Sequence, residues 1–492
     1  MAPALSHDRE LLSTRSGVLR GIADAEAGLV RFRGVPYAAA PIGELRFREP
    51  QPHPGWEGVR PATEYGPTPL LPPESTTSSI PEPPTPGDEY LNLNITAPLE
   101  ATGPLPVYVW IHGGGYVSGT PNGGWFDGAQ LARSGVVVVS ITYRLGLEGF
   151  GHIPGAPDNR GVLDCLAALQ WVSEEIAGVG GDPAQVTIGG QSAGGGLVLS
   201  LLSSPRAREL FRAAVVHSAP LPDITPAEAS RLGARICREL GIDNTLAGWR
   251  TLSRERLATA DRGLDASGLW SSLTQLHRAL SRHGALTPVG PIVGTDLVPE
   301  PLAALAEPDA RPMLIGATSH EFNPATALLE QVLGRTTPAP VLGAAGLPAP
   351  LARAYPRAYP GRSAAALLGQ ALTDRVFRTT LLQVAAARVH AGAPVAVWDF
   401  RWHPADGAAR HCIDLPFAWA VLGGDRVERI AGDDPPPALA SEMSGDIAAF
   451  VRSAVLPWQE YRPDAPVAKV YDEQSWVGRD PYRFERLALE VL

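Results

Sequence analysis

The chain has 492 residues, of which 45% are hydrophobic and 19% are charged, and its formal net charge is −10 at pH 7. This composition allows a large buried core, and the acidic balance argues against nucleic acid or an anionic membrane surface as the main partner. The three cysteines are too few and too widely spaced to predict either a zinc site or a disulfide framework.

The N-terminus shows no targeting signal. Its first ten residues contain no basic segment followed by an apolar one, and no run of about 18 apolar residues occurs anywhere in the sequence. We therefore expect a cytoplasmic protein without a membrane partner. Lys469 is the only lysine, so nearly all of the positive charge is carried by arginine.

Short strands and loops are predicted near the N-terminus. Alternating polarity at 17–21 and 29–34 indicates an antiparallel hairpin at the edge of a sheet. Prolines predict an ordered loop at 35–47. Residues 66–88 are rich in Pro, Ser and Thr, which predicts a long mobile surface loop. This loop either rims an active site or is merely solvated.

Strands and helices alternate through the rest of the chain. Residues 105–112 and 136–143 are nearly continuous apolar runs, as expected for parallel strands that are covered on both faces. A helix is predicted at 159–176 from its spacing. Further strands are predicted at 91–96, 186–191, 213–218, 312–316 and 395–400, and further helices within 225–290, 325–392 and 442–455. This order is typical of a doubly wound α/β sheet.

A glycine-flanked serine follows the apolar run Val186–Ile188. Residues 190–194 read Gly-Gln-Ser-Ala-Gly, and an apolar helical segment begins at 197. A strand, a sharp turn and a helix in this order predict a strained elbow that presents Ser192 Oγ at the top of a sheet. Gly190 and Gly194 would leave room for the neighbouring backbone. Ser192 is therefore the candidate nucleophile.

A glycine-rich loop, His112–Tyr116, follows the strand predicted at 105–112. Without side chains in the way, the N–H groups of Gly114 and Gly115, together with Ala193, can bind the oxyanion of a tetrahedral intermediate. Such a loop upstream of Gly-x-Ser-x-Gly is typical of the α/β-hydrolase fold. We predict this fold, with a central, mostly parallel sheet and an N-terminal antiparallel edge. We expect a single catalytic domain over residues 1–492, with helical insertions at about 221–290 and 325–392.

An acid and a base are the other chemical groups that a serine nucleophile needs. Glu321 lies after the strand at 312–316, at the edge where open α/β sheets gather their sites. His411 is the last histidine in the chain and lies after the strand at 395–400, which gives the order Ser, acid, His that this fold uses. His403 lies on the same loop, and the residues alone do not choose between the two.

Taken together, these motifs resemble the type-B carboxylesterase family of the cholinesterase superfamily, which includes para-nitrobenzyl esterases. The resemblance runs from about residue 14 to about residue 462. The matching stretches outside the elbow are Phe32–Ala38, Pro41–Phe47, Leu91–Asn94, Trp110–Tyr116, Asp158–Gly161, Gly180–Pro183, Leu210–Ser218 and His411–Phe417.

The resemblance implies a triad of Ser192, Glu321 and His411. It favours His411 over His403 because the family pattern His-x-x-acid-Leu/Ile-Pro-Phe matches at 411–417. It also implies an oxyanion hole at Gly114, Gly115 and Ala193.

Three departures from the family pattern bear on function. Gln191 stands where the family has Glu before the serine, which is expected to change the electrostatics around the site. Tyr90 stands where secreted members have a cysteine, in agreement with a reducing compartment. Residues 66–88 contain no tryptophan like the one that binds choline in cholinesterases, so a choline ester is not the expected substrate.

We therefore predict a serine carboxylic-ester hydrolase that acts through an acyl-enzyme on small to medium apolar or aryl esters, without a metal or cofactor. The expected partner is a small-molecule ester, and no oligomeric state is predicted. Tyr116, Trp125 and Phe126 are candidates to line an apolar pocket, although core packing accounts for Trp125 equally well. The first alternative is an acyltransferase, or a carbamate- or amide-hydrolysing enzyme with the same triad. The second is a binding protein on the same fold.

Overall fold

In a computed structural model, strands and helices alternate along the chain. The structure describes residues 9–71, 80–262, 264, 273–281, 287–405 and 407–491. The strands are β1 (Leu11–Thr14), β2 (Gly17–Arg20), β3 (Ile22–Asp24), β4 (Leu29–Pro36), β5 (Val59–Pro61), β6 (Asn92–Pro98), β7 (Leu105–Ile111), β8 (Val137–Ile141), β9 (Gly181–Gln191), β10 (Ala213–His217), β11 (Met313–Thr318), β12 (Val395–Phe400), β13 (Val467–Tyr471) and β14 (Trp476–Arg479).

The helices connect these strands and fill the segments between them. They are α1 (Ala129–Arg133), α2 (Gly146–Phe150), α3 (Arg160–Glu175), α4 (Ala193–Ser203), α5 (Pro226–Leu240), α6 (Leu246–Arg250), α7 (Arg254–Arg262), α8 (Leu273–Ser281), α9 (Pro301–Leu305), α10 (Glu330–Leu333), α11 (Pro338–Ala344), α12 (Ala349–Ala358), α13 (Ala364–Thr373), α14 (Thr379–His390), α15 (Leu415–Ala418), α16 (Glu428–Ala431), α17 (Pro437–Ser453) and α18 (Arg483–Leu489).

One large sheet organises the fold. Its strand order is β14-β13-β12-β11-β10-β9-β7-β8-β6-β4-β3. From β13 to β8 neighbouring strands are parallel, whereas β14 at one edge and β6, β4 and β3 at the other are antiparallel to their neighbours. The predicted central, mostly parallel sheet with an N-terminal antiparallel edge is therefore confirmed.

The central strands are apolar because both of their faces are covered. In β7, Val107 and Val109 belong to one buried cluster, while Tyr108 and Trp110 belong to another. Successive side chains of a strand point to opposite faces, so these two clusters lie on the two sides of the sheet. The continuous apolar run that predicted this strand reflects two cores rather than one.

The N-terminal strands pair differently from the prediction. The segments at 17–21 and 29–34 were expected to form one hairpin, and this pairing is wrong. β2 pairs with β1 and with β5 in a separate three-stranded sheet, whereas β4 pairs with β3 and β6 at the edge of the large sheet. Each predicted strand thus forms, but with a partner that alternating polarity does not specify.

The helical predictions agree well with the structure. α3 coincides with the helix expected at 159–176. α17 begins five residues before the expected start at 442, because Pro437 suits the first turn of a helix. Helices α5 to α8 lie within 221–290, and α10 to α14 lie within 325–392. Residues 263, 265–272 and 282–286 of the first insertion lie outside the described residues, and the single-domain assignment stays a prediction.

The loop predicted at 66–88 is described at its two ends only, since residues 72–79 lie outside the described part of the chain. Ile80 packs against the same buried cluster as Trp125. The backbone of Pro81 comes so close to Gly123 that a Cβ there would lie 2.5 Å from its carbonyl oxygen. The second end of the loop therefore rests on the glycine-rich segment that follows β7. Among the described residues, no helix has the length and apolarity needed to cross a membrane.

Candidate active site

The predicted chemical groups gather at one edge of the sheet. Ser192 directly follows β9, Gly114 and Gly115 follow β7, Glu321 follows β11, and His411 lies on the loop after β12. These strands are parallel, so their carboxyl ends face the same side. Side chains about 220 residues apart in sequence, such as those of Ser192 and His411, can meet there.

Ser192 occupies a strained turn between β9 and α4. Its backbone has φ 56° and ψ −125°, outside the regions that an L-residue usually adopts, and the residue is 8% exposed. A Cβ on Gly190 would lie 2.5 Å from the backbone of Gly194, and a Cβ on Gly194 would collide with the carbonyl of Ile111. The two glycines therefore permit the close approach that this elbow needs.

Glu321 is almost fully buried and has a partner on each oxygen. Oε2 accepts a hydrogen bond from Nδ1 of His411 at 2.5 Å. Oε1 accepts from Oγ of Ser218 at 2.5 Å and from the backbone N–H of Thr318 at 2.7 Å. This arrangement fixes the carboxylate and directs one oxygen at the imidazole.

The imidazole of His411 is held by its charged and aromatic neighbours. Burial lowers the pKa of His411, but the adjacent Cys412 and Glu321 side chains raise it by more, so that it lies well above its ordinary value. The rings of Phe377 and Phe322 pack against the imidazole at 5.0 and 5.2 Å between centroids.

His403 lies in a different environment. Its side chain is exposed, and Nδ1 contacts the carbonyl of the next residue, Pro404, at 2.8 Å. Of the two histidines between which the sequence motifs did not decide, only His411 lies against Glu321.

The second imidazole nitrogen of His411 faces Gln191. The side-chain amide nitrogen of Gln191 lies 3.1 Å from Nε2 of His411 and also donates to Sγ of Cys412 at 3.2 Å. Within the described chain, this amide rather than Oγ of Ser192 is the hydrogen-bonding neighbour of Nε2. Hydrogen bonds between a nucleophile and its base are often loose without substrate and tighten when it binds.

A cavity lies in front of Ser192, with about 350 Å³ of empty space that includes part of the open solvent at its mouth. Its lining consists of Gly115, Tyr116, Ser192, Ala193, Pro220, Leu221, Pro222, Asp223, Ile224, Thr287, Val289, Gly290 and Pro291. The nucleophile candidate and two of the three predicted oxyanion residues thus share one mainly apolar cavity. Burial and the charge of Asp223 raise the pKa of Tyr116, so its hydroxyl stays protonated.

The three aromatic pocket candidates are placed differently. Tyr116 lines the cavity, but Trp125 and Phe126 belong to the buried cluster on the other side of β7. Trp125 is fully buried and donates its indole N–H to the carbonyl of Asp425 at 2.8 Å. Phe126 packs against the ring of Trp110 at 5.6 Å. The placement of these two rings supports core packing rather than a role in the cavity.

A buried ion-pair network lies behind His411. A π-helical turn, Asp374–Arg378, brings Phe377 onto the imidazole and points the next side chain inward. Arg378 forms ion pairs with Asp399 at 2.7 Å and with Glu485 of α18. It also donates to the carbonyl of Thr318 at 3.2 Å. The C-terminal helix is therefore connected to both the acid and the base.

Besides Phe322 and Phe377, sequence reasoning assigned no role to Ser218 and Cys412, which also adjoin the candidate triad. Ser218 donates to Glu321, and Cys412 lies beside His411 with a strained φ of 72°. Ser218 directly follows β10, so the rule that selected Glu321, a polar residue at the carboxyl end of a parallel strand, could have found it. No sequence signal marks Cys412. Among the described side chains, no group of three or more His, Cys, Asp or Glu residues is placed to hold a metal ion.

Comparison with known proteins agrees with this geometry. Residues 8–335 match the model of the carboxylesterase family, and the chain belongs to that family. It is 32% identical to the para-nitrobenzyl esterase of Bacillus subtilis (strain 168), over 98% of each chain. It is 31% identical to phenmedipham hydrolase of Pseudarthrobacter oxydans, over 98% of this chain and 99% of the relative.

Solved structures give the same result. A structure of PNB esterase superposes with a TM-score of 0.82 at 29% identity, covering 98% of this chain and 99% of that one. A carboxylesterase of Geobacillus stearothermophilus superposes with a TM-score of 0.78 at 31% identity, covering 97% and 99%. The predicted α/β-hydrolase fold, the family resemblance and the assignment as a carboxylesterase-type enzyme are therefore confirmed.

Proposed function

We propose that this protein is a serine carboxylic-ester hydrolase that works through an acyl-enzyme, with Ser192 as nucleophile, His411 as general base and Glu321 as the acid that orients it. The observation that carries the proposal is the buried His411–Glu321 hydrogen bond at the same strand edge as Ser192. A strained serine, an imidazole and a carboxylate in this order are the parts that activate an otherwise weak hydroxyl nucleophile.

In the first half-reaction, Nε2 of His411 takes the proton of Ser192 Oγ as the oxygen attacks the ester carbonyl. The carbonyl oxygen becomes an oxyanion, which the N–H groups of Gly114, Gly115 and Ala193 bind. The C–O bond then breaks, and the leaving alcohol takes the proton from His411. Glu321 stabilises the imidazolium that forms in between.

In the second half-reaction, water replaces the alcohol. His411 accepts a proton from the water as the water oxygen attacks the carbonyl carbon of the acyl-enzyme. The bond to Ser192 Oγ breaks, the serine regains its proton from His411, and the carboxylic acid leaves. No other group is required for these two steps.

The cavity supports esters with small to medium apolar or aryl groups as substrates. Proline, leucine, isoleucine and valine side chains form much of its lining, and these cannot hydrogen-bond to a polar acyl chain. We expect p-nitrophenyl acetate and butyrate to be hydrolysed faster than esters with long acyl chains.

The test of the proposal is hydrolysis of p-nitrophenyl butyrate by the purified protein, with and without methanol as a competing acceptor. Without methanol, a hydrolase gives equal amounts of p-nitrophenol and butyric acid, because water takes the whole acyl group. An acyltransferase would give mostly methyl butyrate when methanol is present. Absence of both products, together with absence of fluorophosphonate labelling at Ser192, would contradict the proposal.

The pH dependence of hydrolysis follows from the raised pKa of His411. The base must be neutral to accept a proton from Ser192, and an imidazole with a raised pKa stays protonated to higher pH. We expect kcat/KM for an uncharged ester to rise with pH along a limb whose midpoint lies above 6.5, the ordinary value for histidine. Tryptophan fluorescence over the same range checks that the fold is unchanged. A midpoint at or below 6.5 would contradict the expectation.

Replacing Gln191 by glutamate should raise the midpoint of this pH dependence of kcat/KM further. A carboxylate at the position of the amide would face Nε2 of His411 at about 3 Å and stabilise the imidazolium. We expect the midpoint in Gln191→Glu to rise by about one pH unit. Gln185→Glu, the same change near the far end of β9, is the matched control and should leave the profile in place. An unshifted or lowered midpoint in Gln191→Glu would show that the amide does not lie against the base.

A further inference from the structure

A second histidine–carboxylate pair lies beneath the candidate active site. Nδ1 of His217 lies 2.7 Å from Oδ2 of Asp414, and the two residues are 1% and 0% exposed. The ring of His217 packs between Trp398 and Trp110, with centroids 5.1 and 5.8 Å away. The steps proposed above do not use this pair.

The pair joins the elbow to the loop that carries the base. His217 is the last residue of β10, and its backbone carbonyl accepts the N–H of Ser192 at 3.0 Å. Asp414 lies three residues after His411 on the loop that precedes α15, and its side chain does not cap that helix. One residue therefore holds the nucleophile through its backbone and the loop that carries the base through its side chain.

The segment His411–Asp414, which we call the base loop, has a strained backbone. This strain indicates why the loop needs a second attachment. Cys412 lies between His411 and Asp414 and has a φ of 72°, a left-handed conformation that disfavours a non-glycine residue. Strain of this kind persists only where the surrounding structure fixes both sides. The Glu321–His411 bond fixes the loop before Cys412, and the His217–Asp414 bond fixes it after.

We propose that His217 and Asp414 are positioning residues that set the distance between His411 and Ser192. The inference rests on the proposed serine esterase mechanism and adds to it a buried brace between the elbow and the base loop. A misplacement of about 1 Å between reacting groups can lower a rate by about 10²-fold, so such a brace acts on the chemical step rather than on substrate binding.

Replacing one residue of the pair should also lower the stability of the fold, and the experiment must separate this effect from the positioning role. Nε2 of His217 and Oδ1 of Asp414 are both buried without a hydrogen-bond partner in the described structure. Removing either residue alone leaves the other as an unpaired buried polar group, which destabilises the fold. Replacing both by apolar residues of similar size removes that penalty.

The experiment compares His217→Phe, Asp414→Leu and the double variant. For each we measure kcat and KM for p-nitrophenyl butyrate per site labelled by a fluorophosphonate, and the melting temperature. Positioning predicts that kcat falls by about 10- to 100-fold in all three, with KM within about threefold of the parent. The melting temperature should fall in the single variants and recover in the double variant, whereas kcat should stay low.

Other outcomes overturn the inference. If kcat recovers with the melting temperature in the double variant, the pair is structural only. Asp414→Asn keeps an acceptor oxygen for Nδ1 of His217 and is expected to stay within about threefold of the parent kcat. A larger loss would show that the charge rather than the contact matters.

Ser192→Ala, measured in parallel, separates this inference from the proposed function. Activity that survives in Ser192→Ala contradicts the proposed function itself. Activity that is lost in Ser192→Ala but kept in His217→Phe contradicts only the brace.

Discussion

Replacing Ser192 by alanine should lower kcat for p-nitrophenyl butyrate by about 10⁵-fold. The proposed nucleophile is the only group in the mechanism that forms a covalent bond to the substrate. The oxyanion donors and binding contacts that remain give a residual rate of about 10³- to 10⁴-fold over water, far below that of the parent. Measurement of p-nitrophenol release over hours, beside the parent at low concentration, determines the ratio.

The elbow itself provides the control for Ser192→Ala. Alanine keeps the strained φ of 56° at position 192, whereas glycine adopts it without strain. Ser192→Gly should therefore be as inactive as Ser192→Ala, and its melting temperature should equal or exceed that of Ser192→Ala. Fluorophosphonate labelling should be lost in both variants. Residual activity above about 1% in either variant would assign the nucleophile to another residue.

Replacing Glu321 by glutamine should lower kcat by about 10³- to 10⁴-fold with little change in KM. Two donors, the hydroxyl of Ser218 and the N–H of Thr318, surround Oε1, so the amide oxygen will take that place. The amide NH₂ group then faces Nδ1 of His411 and forces the imidazole proton onto Nε2, the atom that must accept the proton of Ser192. The base is thus held in the wrong tautomer.

Ser218→Ala serves as the control for this change. It removes one hydrogen bond to Oε1 but leaves the carboxylate, the Thr318 donor and the bond to His411 in place. We expect a loss of about tenfold in kcat, since a hydrogen bond to a charged carboxylate contributes about 1.5 kcal/mol or more. If Ser218→Ala and Glu321→Gln reduce kcat equally, the effect arises from loosening of the loop rather than from the imidazole tautomer. A loss below tenfold in Glu321→Gln would remove Glu321 from the triad.

The central fold could be predicted because burial dictates its sequence. Strands such as β7 and β8 are covered on both faces, so they appear as continuous apolar runs that few other structures need. The pairing of the N-terminal strands could not be predicted in the same way. β2 lies beside β5, about 40 residues later, and alternating polarity shows that a strand has one buried face without showing which strand lies next to it.

The candidate site was predictable where the backbone constrains the residue type. Gly190 and Gly194 are required by close contacts, and they mark Ser192 between them. The choice between His403 and His411 needed either a family resemblance or the structure, because only a three-dimensional contact joins a histidine to a glutamate 90 residues away. The His217–Asp414 pair could not be predicted for the same reason, since its two residues lie 197 positions apart in the chain.

The ion pair between Arg378 and Glu485 has a consequence for the synthesis of the protein. Phe377, next to Arg378, packs on His411, and Glu485 belongs to α18. A ribosome adds about 5–20 residues per second, so the stretch from Ser192 to Glu485 takes roughly 15–60 s to make. Until Glu485 has been made, the growing chain has its nucleophile elbow but lacks the ion pair that holds Arg378 beside Phe377. Newly made molecules should therefore begin to hydrolyse esters only after Glu485 has been synthesised and α18 has packed against Arg378.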